Sequence, residues 1–275
     1  MKEIKTLFRY PGGKFYALRI LRPFWNSINH DEYREPFAGG GSVFFDKERV
    51  HFNWLNDKHE DLIITYKIIA NSDTRKELIK MLKNEVASPE RHQEIKDMKP
   101  TNDLEIAFRY FYLNRTSFSG KMKTPSWGYR PKRSLPPERW SERIFPCGKA
   151  LEGIKLTALD FEEVIKSPKK GKEVLMFIDP PYFSAKQESH YVCSFKKQDH
   201  TRLMKILKKT RHKFFLTYDD SPEIRELYYW ANIYPIQFYY RLDNSQHNGG
   251  NRNKGCELVI TNYKLKEQKL LQQLK

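Results

Sequence analysis

The sequence predicts an α/β fold that is interrupted by an inserted lobe. Short apolar runs of β-forming residues alternate with helical patterns on both sides of residues 73–149, as in domains whose strands are joined by crossover helices. The most apolar of these runs, 173–178, ends at Asp179 and two prolines, which cannot continue a strand. We therefore expect a sheet domain built from residues 1–72 and 150–275, with residues 73–149 as the inserted lobe.

Residues 10–14 form a predicted turn before a helical pattern at 15–28, which Pro23 is expected to interrupt. The paired glycines of this turn let the main chain approach a ligand closely. Lys14 is unfavourable for the dipole at a helix start, so its position favours binding of an anionic group such as a carboxylate. An ordinary N-terminal turn explains the same residues equally well.

A glycine-rich turn follows a short strand that ends at Glu35 or Pro36. Three consecutive glycines, 39–41, then open a helix for which Ser42 is the predicted N-cap. Such strand-to-helix turns hold ligands at a helix N-terminus. The spacing is neither the dinucleotide fingerprint nor a phosphate loop, so together with Phe37 it favours a nucleoside-like cofactor.

Acidic residues end the next two predicted strands. Asp57 follows the strand 50–55 about twenty residues after the glycine turn, an offset at which an acid typically binds ribose hydroxyls. N-capping of the next helix, which is predicted at 60–70, is an alternative role, and the offset alone does not decide between them. The strand 154–159 likewise ends at Asp160 and Phe161.

Asp179 to Tyr182, with the sequence Asp-Pro-Pro-Tyr, stand at the carboxyl end of the predicted central strand, where open α/β sheets bind ligands. The Asp179 carboxylate and the Pro180 carbonyl are both acceptors, and two acceptors suit an amino group with two hydrogens. Tyr182 offers a flat face for stacking a base. An amine held in this way is a better nucleophile toward an electrophilic methyl group. A strand-ending turn with a core tyrosine is the alternative, so the motif alone is only suggestive.

Composition favours a nucleic-acid partner. The 275 residues include 50 Lys and Arg against 34 Asp and Glu, a formal charge of +16. A merely basic protein is the alternative.

The three cysteines are far apart, which argues against disulfides and a zinc site, so we predict no metal and a reducing, cytoplasmic location. The charged N-terminus predicts no signal peptide, and no apolar run reaches membrane-spanning length.

The segment 114–139 loses helical periodicity and interleaves basic, aromatic and turn residues. It contains seven Lys or Arg against one acid, Glu138, a net charge of +6. Basic groups neutralise phosphates, and aromatic rings stack on or wedge between bases. The predicted nucleic-acid contacts are Arg115, Phe118, Ser119, Lys121, Lys123 and Arg130.

These motifs together resemble the DNA adenine methylase family, the D12 class of S-adenosylmethionine-dependent methyltransferases, over nearly the whole chain and in the family's order. Tyr10 stands where the N-terminal cofactor motif usually has tryptophan. The matching segments are 10–14, 35–42, Asn56 with Asp57, 114–120, Asp160 with Phe161, 179–182 and the C-terminal signature from Arg252 to Tyr263.

The resemblance implies a Rossmann-like seven-stranded methyltransferase sheet with a helical and hairpin target-recognition lobe. It implies that a target adenine is flipped out of duplex DNA, that Tyr182 stacks on it, and that Asp179 and the Pro180 carbonyl accept its amino hydrogens. The implied contacts to S-adenosylmethionine are Tyr10, Gly12, Lys14, Glu35, Phe37, Gly39, Gly41, Ser42, Asp57, Asp160, Phe161 and Asp179.

The resemblance leaves the recognition sequence open. Lys121 and Lys123 stand where we align the leucine and arginine base contacts of the best-known members, and lysine reads guanine less well than arginine does. We expect a monomer or weak dimer acting on double-stranded DNA, in a restriction-modification, phage or orphan role. The alternatives are an RNA adenine methyltransferase and a non-catalytic nucleic-acid-binding protein on the same scaffold.

Overall fold

The computed structural model describes residues 4–183, 192–239 and 254–265, which form a seven-stranded sheet in the order β3-β2-β1-β4-β5-β7-β6. Within these residues all neighbouring strands are parallel except at β7, which runs antiparallel to both β5 and β6. This confirms the predicted sheet. The strands are β1 (Glu32–Glu35), β2 (Phe52–Asn56), β3 (Lys155–Thr157), β4 (Val174–Ile178), β5 (Lys213–Asp219), β6 (Asn232–Tyr239) and β7 (Lys254–Thr261).

Helices connect these strands and form the inserted lobe. They are α1 (Leu18–Asn26), α2 (Ser42–Asp46), α3 (Glu60–Ala70), α4 (Ser72–Leu82), α5 (Pro89–Asp97), α6 (Asp103–Thr116), α7 (Ser141–Leu151), α8 (Phe161–Lys166), α9 (Lys197–Lys209) and α10 (Pro222–Leu227), with 3₁₀ turns at Lys14–Tyr16, Phe118–Gly120 and Pro137–Arg139. In the described part of the chain, no helix is long and apolar enough to cross a membrane.

Strand β4 is buried along its whole length because both faces of the sheet are covered. Leu175 and Phe177 belong to one core, which continues into α1, α3 and the inserted lobe. Val174, Met176 and Ile178 belong to the core of the opposite face, with α8 and α9. The strand is thereby fixed between two layers, and the residues that follow it have a rigid support.

The inserted helices α4, α6 and α7 pack against α3, and α5 packs against α6. All of them share one core, since Leu78, Ile95 and Tyr110 join the same buried cluster as Leu62 and Ile69. The basic segment that follows α6 lacks a two-stranded ladder among its described residues. It forms one antiparallel bridge, between Ser117 and Trp127. The predicted hairpin is therefore reduced to a loop that this bridge closes.

Two local predictions are wrong. Pro23 lies inside α1 rather than interrupting the helical region, and the helix persists because Leu18, Leu21 and Phe24 bury one face in the core. Ser42 is the first residue of α2, not its N-cap. The N-cap is Gly41, whose left-handed φ of 64° turns the chain without a side-chain hydrogen bond.

Candidate active site

A cleft that opens to solvent lies at the carboxyl ends of the parallel strands. Two of the twelve predicted cofactor residues, Glu35 and Gly41, do not line the cleft. The ten that line it are Tyr10, Gly12, Lys14, Phe37, Gly39, Ser42, Asp57, Asp160, Phe161 and Asp179.

The glycine turn brings Tyr10 against the main chain after β1. Gly39 has a left-handed φ of 48°, and a Cβ there would lie 2.9 Å from the Tyr10 ring. A Cβ on Gly41 would lie 3.0 Å from the Phe45 ring. Glycine is thus required at both positions by backbone conformation and by close packing. Gly41 shapes the turn, whereas Gly39 also faces the cleft.

Asp57 organises the same turn. Its Oδ2 accepts a hydrogen bond from the Gly39 N–H at 2.8 Å, and its Oδ1 accepts one from the His59 N–H at 2.9 Å. Burial raises the pKa of Asp57, and these two N–H donors oppose that rise. The N-cap of α3 is His59, so Asp57 is not itself the capping residue. The contact with ribose stays a prediction.

Aromatic rings form one side of the cleft. The rings of Phe37 and Phe161 stack with centroids 5.3 Å apart, and the Phe195 ring lies 5.6 Å from each. The Arg202 guanidinium lies 4.3 Å above the Phe161 ring and 3.0 Å from Asp160 Oδ2. Burial opposes ionisation of Asp160, but the Glu162 N–H and Arg202 outweigh it, so its pKa is lowered. An apolar wall with a charged rim suits a planar base.

Asp179 is held by two side chains. The Lys14 Nζ lies 2.7 Å from Oδ1 and 2.9 Å from Oδ2, and Lys14 also donates to the Gly12 carbonyl at 2.9 Å. The Thr217 hydroxyl of β5 donates to Oδ1 at 2.7 Å. Lys14 is predicted to bind an anionic group such as a carboxylate, and in the structure its partner is the carboxylate of Asp179. Pro180 is buried and, like Tyr182, does not line the cleft.

The Tyr182 ring is half-buried beside Lys14 and Tyr218. The Lys14 Nζ lies 4.7 Å from its centroid, and the Tyr218 ring is 6.0 Å away. Burial, together with the negative charges of Glu257 and Asp179, raises the pKa of Tyr182 well above its usual value. Glu257 also accepts a hydrogen bond from the Tyr16 hydroxyl at 3.2 Å.

Glu35 is a buried acid behind the cleft. Its Oε1 accepts a hydrogen bond from the Tyr33 hydroxyl at 2.6 Å. Burial raises the pKa of Glu35 to about 8, against the opposing effects of that hydrogen bond and of an N–H donor at Phe44. The Glu35 side chain is buried and does not line the cleft, so its predicted contact with the cofactor stays a prediction.

The predicted DNA contacts differ in accessibility. Phe118 is 50% exposed, Ser119 has a left-handed φ of 54°, and Lys123 and Arg130 are also exposed, whereas Lys121 is half-buried. Arg115 is buried at the end of α6, and desolvation beside Arg9 and Arg143 lowers its pKa to about 10. A role for Arg115 in binding DNA requires that a phosphate reach this buried position.

Sequence reasoning missed Thr217 of β5, which holds Asp179 and which no short motif marks. It assigned no role to Glu257 of β7, although this residue lies within the C-terminal signature. Strand alternation could have placed both at the active edge once the antiparallel register of β7 was known. Phe195 and Arg202 were missed because they reach the cleft from a different helical segment, near and within α9.

Known proteins resemble this chain over most of its length. The family model for D12 class N6 adenine-specific DNA methyltransferases matches residues 10–242. The chain is 27% identical to the Type II methyltransferase M.CviBI of Paramecium bursaria Chlorella virus NC1A, over 94% of this chain and 100% of that protein. It is 26% identical to M1.LlaDCHI of Lactococcus lactis subsp. cremoris, over 95% and 96%, and to M.MjaIII of Methanocaldococcus jannaschii, over 75% and 80%.

Proposed function

Since the chain belongs to the D12 class of N6 adenine-specific DNA methyltransferases, we propose that its cleft binds S-adenosylmethionine and that Asp179, Pro180 and Tyr182 receive the target adenine. The protein methylates adenine in DNA with S-adenosylmethionine as the methyl donor. The observation that supports the residue assignment is the ion-paired Asp179 at the end of β4, in the wall of a cleft that ten predicted cofactor residues line.

The residues present fit the cofactor. The stacked pair Phe37 and Phe161 offers an apolar wall for the adenine, and Asp57 stands at the second strand end, where a carboxylate can accept from ribose hydroxyls. Gly39, with a positive φ and no side chain, lets the main chain border the cleft closely. When bound, S-adenosylmethionine supplies a methyl group on a positively charged sulfonium, which makes that methyl electrophilic.

The chain's own groups prepare the target amine. Asp179 accepts one amino hydrogen, and the Pro180 carbonyl accepts the other, which fixes the nitrogen and increases its electron density. Thr217 and Lys14 hold the Asp179 carboxylate in place. Lys14 also balances the charge of this carboxylate, whose side chain is only 17% exposed. Tyr182 provides the stacking face for the adenine.

The basic segment 114–139 is the proposed surface for DNA. Phe118 is exposed next to Ser119, as expected of an aromatic residue that fills the gap left by a flipped base. Lys121, Lys123 and Arg130 are the proposed base or phosphate contacts. We propose residues 1–72 and 150–275 as the catalytic part and 73–149 as the recognition part, and a monomer or weak dimer as the active form. Duplex specificity, a single recognition sequence and a cytoplasmic location likewise remain predictions.

Transfer of labelled methyl groups onto matched DNA and RNA duplexes tests the proposal. We expect incorporation into DNA. We expect Asp179→Ala to lower turnover by roughly ten- to a thousandfold or more, because the target amine loses a charged acceptor. Asp73→Ala is the matched control, since it removes an exposed aspartate whose partner is also a lysine.

Two outcomes favour the alternatives. Incorporation into RNA alone would favour the RNA methyltransferase. A calorimetric titration that finds no binding of S-adenosylmethionine, with or without DNA, would favour the non-catalytic binding protein. Near-wild-type turnover of Asp179→Ala would contradict the role of Asp179.

A further inference from the structure

A strongly basic surface lies at the edge of the sheet opposite the cleft. Two segments lead into neighbouring strands there: residues 166–173 precede β4, and residues 205–213 run from the end of α9 to the start of β5. Together they contain nine Lys or Arg against one acid, Glu173, a net charge of +8. Half of the formal charge of +16 is thus concentrated in these two short segments, which we call the basic edge.

The two segments form one continuous surface. Strands β4 and β5 pair in parallel with Leu175 opposite Lys213, so their first residues are neighbours. The His212 Nε2 lies 3.3 Å from the Ser167 carbonyl oxygen, which joins the two segments directly. An open groove between α8 and α9 adjoins this contact, and its lining includes the basic side chains of Lys166, Lys205, Lys209 and Arg211.

Several cations of this groove have no acidic partner. Glu162, the acid in the lining, is paired with Lys166 and Arg202. Lys205, Lys209 and Arg211 are exposed, and none of them forms an ion pair within the part of the chain that the structure describes. Solubility is served by charges of both signs that are interspersed, whereas charges of one sign gathered on one face attract a polyanion.

An exposed aromatic ring stands among these cations. Tyr229, in the turn between α10 and β6, is 74% exposed, and the Lys208 Nζ lies 5.5 Å from its ring centroid. Strands β5 and β6 both run antiparallel to β7, so the turn before β6 lies at the same edge of the sheet as the start of β5. Tyrosine beside lysine suits a nucleic acid, whose sugars and phosphates both residue types contact.

We propose that the basic edge, with Lys205, Lys209, Arg211 and Tyr229, is a second, non-specific binding surface for duplex DNA. This inference rests on the proposed function only in taking duplex DNA as the substrate. Strand β4, which is five residues or about 17 Å long, separates the basic edge from the cleft. Duplex held at the cleft therefore leaves the basic edge uncovered, and another segment of DNA can bind there.

Contacts at this surface are to the DNA backbone and carry no sequence preference. The protein can then bind a new segment before it leaves the old one, which speeds its search for target sites along long DNA. The cleft and the basic edge thus have separate tasks, which are methyl transfer and movement between segments.

The rate of dissociation from a labelled short duplex tests for this second surface. The bound protein is challenged with increasing amounts of the same duplex without label. In the wild type the competitor binds at the basic edge before the labelled duplex leaves, so the dissociation rate should rise with competitor concentration. In the triple variant with Lys205→Gln, Lys209→Gln and Arg211→Gln, the rate should not depend on the competitor.

Binding stoichiometry at low salt measures the same surface at equilibrium. The wild type should bind two short duplexes per chain, and the triple variant should bind the second one about tenfold or more weakly. Tyr229→Ala keeps the charge and should weaken the second duplex about fivefold or more. It takes the place of the triple variant if the latter does not fold.

Two controls separate the surface from general charge and from catalysis. The matched variant with Lys67→Gln, Lys80→Gln and Lys83→Gln removes the same charge at exposed positions of another part of the molecule, and it should behave as the wild type does. On a short duplex that carries one methylation site, the triple variant of the basic edge should keep kcat within about twofold, because its residues lie outside the cleft.

Three results overturn the proposal. They are a wild type that binds one duplex per chain, a folded triple variant that still binds two, and a second site that takes single-stranded RNA but no duplex. Failure of the wild type to methylate DNA refutes the proposed function, whereas a methylating wild type with a single duplex site refutes the second surface alone.

Discussion

Lys14 and Asp179 form the ion pair that determines the chemistry of the cleft. With side-chain exposures of 2% and 17%, the two charges are largely removed from water, so each depends on the other. The sequence marks each residue within its own motif, 165 positions apart, but contains no signal that the two meet. Their contact arises because the N-terminal 3₁₀ turn packs over the end of β4.

Glu35 predicts a pH dependence of stability. Its pKa is about 8 in the folded protein, well above that of an exposed glutamate at about 4.3, so the folded state holds a proton that the unfolded state has lost. Glu35 therefore makes its whole contribution to the free energy of unfolding below about pH 4.3. This contribution is lost as the pH rises toward 8, by at most about 1.4 kcal/mol per pH unit. Burial lowers the pKa of Lys47 to about 8, so Lys47 changes the pH dependence of stability mainly above this window.

Thermal unfolding without cofactor between pH 5.5 and 7.5 measures this dependence. Glu35→Gln should flatten the fall in stability, and Glu173→Gln, at an exposed position beside β4, should leave it unchanged. An equal slope in wild type and Glu35→Gln would show that Glu35 is ionised throughout the folded state.

The glycine turn between β1 and α2 is the element on which cofactor binding most depends. It is held by Asp57 on one side and covered by the Tyr10 ring on the other. The turn connects a fully buried strand to a helix of five residues, α2, so its conformation is set by contacts with other segments rather than by the helix.

Gly39→Ala should weaken cofactor binding about tenfold or more, because a Cβ would push Tyr10 away from the turn as well as straining a positive φ. Gly153→Ala is the matched control: its φ is 75°, and a Cβ there meets no atom within 4 Å. Both variants should lose about 1–2 kcal/mol of stability through backbone strain. Calorimetric titration with S-adenosylmethionine would contradict this role if the two variants bound alike.

Elements whose pattern is local were predictable from the sequence. The helix at 60–70 and the strand before Asp179 agree with the structure to within a residue because apolar periodicity and proline fix them. Pro23 and Ser42 were misread because tertiary packing of α1 and the left-handed Gly41 override local preference. The pairing of Glu257 with the active edge needed the register of β7, which no local pattern contains.

At the scale of the whole molecule, the net charge of +16 draws the protein to a polyanion, while a few exposed side chains select the site. We expect Lys123→Ala to relax preference at one base position, at a cost of about 1–3 kcal/mol. Lys209→Ala, at the far end of α9 next to the start of β5, should leave preference unchanged. Binding to duplexes with single base changes, measured at several salt concentrations, distinguishes the two kinds of contact. A uniform weakening of all duplexes with a shallower salt dependence would show that Lys123 contacts a phosphate instead.

Methyladenine mapping by single-molecule sequencing is the most direct test of site-specific adenine methylation by the Asp179 motif. The wild type and Asp179→Ala are each expressed in a host that lacks DNA methylation, and the host genome is sequenced. The wild type should modify adenine in one short sequence at nearly every copy, and Asp179→Ala should modify few or none of these copies. Adenine methylation scattered without a common sequence would contradict site specificity, and a genome without methyladenine in the presence of folded wild-type protein would contradict the activity itself.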